Sequence, residues 1–72
     1  MAVFRKGTRV AWSWGQGTAT GVIRERFTAK VTRTIKGAEI TRNATAKDPA
    51  YLIEQDDGDT VLKSRAELKR AG

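Results

Sequence analysis

The chain has 72 residues, fourteen Lys and Arg against eight Asp and Glu, a formal net charge of +6, and neither cysteine nor histidine. That length allows one small domain with a modest core, taken here as residues 1–72 with its centre between about 7 and 68. The composition excludes a disulfide staple, the usual zinc-ligand sets, and any catalysis that needs a Cys nucleophile or a His base.

The first residues, MAVFRKGTRVAWSW, hold no apolar run long enough for a signal peptide or a membrane span. A cytoplasmic protein with no membrane partner is therefore expected. The charge is unevenly spread: residues 1–47 carry ten Lys or Arg against two acids, and residues 48–72 carry four against six. A basic excess of this kind suits a polyanionic partner, most often nucleic acid, and is equally compatible with a well-solvated surface.

In chain order, TRVAWSW (8–14) alternates, with Val10, Trp12 and Trp14 on one face, and predicts a half-buried strand. Glycines on either side mark turns. TATGVIRERF (18–27) predicts a second strand, and Gly21 inside it predicts a bulge or sharp bend. KVTRTIKGAEITRN (30–43) predicts a hairpin turning at Lys36-Gly37, because Gly accepts positive φ at little cost. In that register Val31, Arg33, Ile35, Ala38, Ile40 and Arg42 share one face, and the opposite face carries only polar side chains. NATAKDP (43–49) is a loop, and AYLIEQ (50–55) a strand with Tyr51 and Ile53 opposed to Leu52. DDGD is a turn centred on Asp57-Gly58, and TVLK pairs back as a final strand. SRAELKRAG predicts one or two helical turns, with Ser64 and Glu67 at capping-box spacing and Leu68 tucked beneath. Five or six short strands with glycine-rich turns and a terminal helical turn describe an all-β, strongly bent antiparallel barrel.

The segments KGTRVAWSWGQGTATGVI, KVTRTIKGAEITRN, DPAYLIEQDDGDTVLK and SRAELKR, in that order, resemble the hypervirulence-associated TUDOR domain proteins, a bacterial and fungal family long described as a domain of unknown function. The likeness runs from about Gly7 to Leu68. It implies a TUDOR-like, SH3-type barrel and says little about mechanism.

Two binding surfaces follow from the residues. The basic hairpin and second strand offer Arg24, Arg26, Lys30, Arg33, Lys36 and Arg42 to phosphates, with threonine hydroxyls as further contacts. Lacking a base-reading motif, such binding is expected to be weak, electrostatic and salt-sensitive. The competing account is that charges on an exposed ribbon guard its edge. The alternative surface is an aromatic barrel mouth that holds a peptide, with Trp12, Trp14 and Tyr51 beside Glu54. Against it, period-two alternation predicts these rings to be core. A third reading covers Val31, Ile35 and Ile40 with a second copy, although a monomer is favoured. The acids of DDGD lack calcium-loop spacing, and no metal or cofactor is expected. Neither Ser13 nor Ser64 has a base at a telling spacing, and GQGTATG lacks the ending of a phosphate loop. A non-catalytic binding module is expected.

Overall fold

In the computed structural model, residues 4 to 71 are described. Seven strands form: β1 (Arg9–Trp14), β2 (Gly17–Phe27), β3 (Val31–Ile35), β4 (Ala38–Arg42), β5 (Ala50–Gln55), β6 (Thr60–Ser64) and the two-residue β7 (Lys69–Arg70). Five of them make one antiparallel sheet in the order β6-β5-β2-β1-β7, and β3 and β4 make a separate two-stranded sheet. Without the β3–β4 hairpin, the main sheet is a simple meander whose last strand returns to the first. The arrangement is the small all-β, TUDOR/SH3-like fold expected, bent but unclosed. Among the described residues, no helix is long and apolar enough to cross a membrane.

Two small cores lie on opposite sides of the main sheet. The first joins Phe4, Val10, Trp12, Ile23, Tyr51 and Ile53, with Leu68 packed against it. Within it the Phe4 and Tyr51 rings meet edge to face at 5.7 Å, and the Tyr51 hydroxyl accepts a hydrogen bond from the Phe4 N–H at 3.3 Å. The second core joins Val31, Ala44, Ala50 and Leu62, bordered by Phe27, Ile35, Ile40 and Leu52. Strand β5 feeds both, with Tyr51 and Ile53 on one side and Ala50 and Leu52 on the other. The hairpin therefore packs its aliphatic face on the outside of β5 and β6. Val31 is buried by its own chain, whereas Ile35 and Ile40 pack against this core and stay half-buried.

The hairpin register is the predicted one, from Val31 opposite Arg42 to Ile35 opposite Ala38. Its two-residue turn has positive φ at both central positions, Lys36 at 51° and Gly37 at 78°, as a type I′ turn requires. Other expectations shift. Gly21 is not a bulge: it pairs regularly with Val10 and Gln55, and the irregularity falls between Ile23 and Glu25. Glycine is needed at 21 because β5 crosses close by; a Cβ there would stand 2.6 Å from Ile53 Cγ2 and 2.7 Å from the Glu54 carbonyl oxygen. The β5–β6 turn centres on Asp56-Asp57, since the Gly58 N–H bonds to the Gln55 carbonyl. Gly58 follows at φ 89°, the left-handed residue of a three-to-four-residue hairpin loop.

The chain end also differs from expectation. Instead of one or two α-helical turns there is one 3-10 turn, Arg65–Glu67, and then β7 on the edge of β1. The Glu67 carboxylate does accept the Ser64 N–H at 2.7 Å, as the capping spacing implied. Leu68 stops the helix: its inward packing, together with the ladder that Lys69 and Arg70 form with β1, outweighs continuation of the 3-10 turn.

Two stability tests follow. Gly21→Ala forces β2 and β5 apart and should cost about 2 kcal/mol, a fall in melting temperature of roughly 8–16 °C by thermal denaturation. Leu62→Ala empties the second core and should cost about 2–4 kcal/mol, with amide exchange accelerating in residues 31–42 before it does in β1 and β2.

Candidate nucleic-acid interface

The sheet alternation that buries one set of side chains lifts the other into solvent. On the hairpin, the outward face carries Lys30, Thr32, Thr34, Glu39, Thr41 and Asn43, all exposed. The Thr32 and Thr41 hydroxyls lie 2.9 Å apart across the two strands. The face beneath is the aliphatic one, with Arg33 and Arg42 at its margins. Arg33 bends over the Phe27 ring, 4.8 Å from its centroid, in a cation–π contact that leaves the guanidinium exposed.

The six cations expected to face phosphate fall into two groups. Arg24, Lys36 and Arg42 already hold carboxylates: Arg24 Nε is 2.6 Å from Glu54, Lys36 Nζ 2.7 Å from Asp59, and Arg42 Nε 3.7 Å from Glu67. Arg26, Lys30 and Arg33 are exposed and hold none among the described residues. Sequence reasoning put all six together because each acid partner is at least twenty residues away along the chain and becomes a neighbour only through the fold. Two further pairs, Arg9 with Asp56 at 3.4 Å and Arg65 with Asp48 at 3.9 Å, complete the set. Among the described residues, five ion pairs thus engage five of the fourteen Lys and Arg and five of the eight acids. Nine cations and three acids, Glu25, Glu39 and Asp57, have no partner among the described residues, so this pairing does not quench the basic excess.

Lys36 illustrates how the pairs hold the hairpin. A left-handed conformation costs an ordinary L-residue roughly 1–2 kcal/mol, and Asn or Gly would fill this turn position more cheaply. A lysine there reaches Asp59 in the β5–β6 turn, and Arg42 at the other end of β4 reaches Glu67 after β6. The hairpin is clasped at both ends. The hydrogen bond that the Lys36 ammonium donates to Asp59, helped by the carboxylate's negative charge, raises its pKa above the ordinary 10.5. The lysine is accordingly fully charged at neutral pH, and its side of the pairing is lost as pH rises through that raised value.

The aromatic alternative does not assemble. Trp12 (4% exposed) and Tyr51 (0%) are interior members of the first core, whereas Trp14 is 63% exposed. Glu54 is engaged by Arg24. Trp14 shares the alternation of Val10 and Trp12, but it lies at the end of β1, beyond the core. Between β4 and β6 runs a shallow groove of about 210 Å³ with an apolar floor of Ile35, Ile40, Val61 and Leu62. Nothing in the sequence marked it, because it arises where the two sheets meet without a ladder.

The clasp can be read directly. Following the Lys36 side chain by NMR through an alkaline titration should give a midpoint above 10.5, and Asp59→Asn should return it towards 10.5. A midpoint unchanged by Asp59→Asn would dissolve the clasp.

No curated protein and no solved structure matches the chain. The family described as hypervirulence associated proteins TUDOR domain does match, over residues 7–68 of this sequence, the same stretch that forms the meander, the hairpin and the closing turn; the chain belongs to that family.

Proposed function

We propose that the domain binds nucleic acid through charge, without reading sequence, on the surface that carries Arg26, Lys30 and Arg33. Membership of a TUDOR-domain family makes the chain a small binding module. The observation that carries the choice of ligand is the unpaired charge: these three cations are exposed, lack a carboxylate partner among the described residues, and follow one another from the end of β2 into β3. Threonine hydroxyls on the same hairpin add donors for phosphate oxygens. Arg24, Lys36 and Arg42 are held by carboxylates and would have to release them to add to this binding. The module works without catalysis, since the chain offers no Cys or His, and its role is to hold a polyanion by displacing counterions.

Amide NMR of the labelled protein with a short duplex DNA tests this. Shifts should concentrate in residues 26–34. Three phosphate contacts give a slope of about −2.7 in log affinity against log salt, so a fourfold rise in salt should weaken binding about 40-fold. The triple change Arg26→Glu, Lys30→Glu, Arg33→Glu should abolish the shifts while leaving the dispersed spectrum of a folded domain. No shifts at low salt, or binding that survives the triple change, would remove nucleic acid as the ligand.

A further inference from the structure

The end of the molecule that carries the β1–β2 turn is chemically unlike the rest. Residues 10–23 form an uninterrupted run of fourteen without a charged side chain, in a protein where 31% of residues are charged. At its tip stands Trp14, the one large hydrophobic residue exposed among those described. Its indole folds towards its own turn, where Nε1 comes within 3.8 Å of the position a Cβ would take on Gly17, and most of the ring still faces water. Loss of charge together with a protruding aromatic is the composition of an interface centre, not of an ordinary surface.

The same molecule also holds an unfilled recess. The groove between β4 and β6 has an apolar floor, and Lys36, Arg42 and Lys63 stand on its rim. Lys36 and Arg42 have carboxylate partners, but Lys63 has none among the described residues. On the other side of the β5–β6 turn, Ala19 and Thr20 of β2 lie beside Asp56 and Asp57, and Asp57 is likewise without a cationic partner among the described residues. The β5–β6 turn thus has β2 on one side, at the residue that pairs with Trp12 two places before Trp14, and the groove on the other, through Lys36 and Asp59; the first side has an unpaired acid, Asp57, and the groove rim an unpaired lysine, Lys63, among the described residues. Features placed so close together on one chain can be satisfied twice over by a two-fold axis, since each copy gives its projection and receives its partner's.

We propose that Trp14 of one copy inserts into the β4–β6 groove of a second copy, and the reverse, to form a reciprocal dimer in which Asp57 of each faces Lys63 of the other. The surface differs from the one argued to hold nucleic acid, and the proposal does not rest on that reading. Two indoles and the rims around them bury far less than a standard protein interface of roughly 1,600 Å², so the dimer is a weak one that forms at high micromolar to millimolar concentration.

Sedimentation velocity from roughly 10 μM to 1 mM reads the mass directly. The wild-type chain should shift towards twice its monomer mass across that range. Trp14→Ser, which removes a largely solvated side chain that belongs to neither core, should stay monomeric throughout. Ile40→Lys closes the groove floor from the hairpin side and should also stay monomeric, with its fold checked by NMR. Mixing Trp14→Ser with Ile40→Lys leaves one intact projection and one intact recess, so association should return in the mixture at reduced strength. Free N-acetyl-tryptophanamide should compete, with amide shifts at Ile40 and Val61. A wild-type chain that remains monomeric to 1 mM overturns the proposal, as does association unaffected by Trp14→Ser. Should the chain stay monomeric while N-acetyl-tryptophanamide still occupies the groove, the second copy is ruled out and the recess belongs to an acidic, aromatic segment of another protein.

Discussion

The fold depends on β5 being covered on both faces. A 72-residue chain without cysteine has no disulfide to add to a small apolar core, and a single bent sheet would leave the back of its central strands in water. Here Tyr51 and Ile53 close the inner core while Ala50 and Leu52 face outward, and the β3–β4 hairpin is laid over that second side. The hairpin is thus half of the hydrophobic solution, even though it shares no ladder with the main sheet. Its basic character follows from this geometry. One face must be apolar to pack, so all its polarity collects on the other face and at the margins.

Packing alone would hold a two-stranded lid loosely, since apolar contact is not directional. Orientation comes from the ion pairs at its two ends, Lys36 with Asp59 and Arg42 with Glu67. Each is exposed and contributes little to stability by itself. Their effect is positional: they fix β4 alongside β6 and so hold open the groove between them. The same pairing decides which cations remain available. Arginines that anchor the lid are spent internally, and those around the β2–β3 connection are left to the solvent or a ligand.

Much of this was legible in the residues. The hairpin register could be read because Val31, Ile35 and Ile40 alternate around a Lys-Gly turn, and a slip by one residue would have exposed all three. Tyr51 and Ile53 opposed to Leu52 gave the two faces of β5, although the need to cover both was visible only with the hairpin in place. Alternation could not separate Trp12 from Trp14, because period two assigns a face and not the depth at which the core ends. Gly21 was recognised as special for the wrong reason; a close crossing strand and a bulge leave the same mark on a sequence. The last strand was hidden because two residues cannot show a period, and Ser64 with Glu67 advertised a helix that Leu68 ends after a single turn. The ion pairs were illegible altogether, since they link residues 24 and 54, 36 and 59, and 42 and 67.

The placement of the hairpin between β2 and β5 also bears on how the chain reaches its native state. Joining Phe27 to Ala50 means closing a loop of residues 28–49, the longest gap between neighbouring strands that follow one another in the meander. The hairpin contacts within residues 31–42 are local and can form first. Once made, they take those residues out of the loop and leave only the segments 28–30 and 43–49 to be closed, which lowers the entropic cost by about 0.7 kcal/mol. A hairpin formed in that order would act as a template, offering β5, the strand that both cores require, an aliphatic face already built.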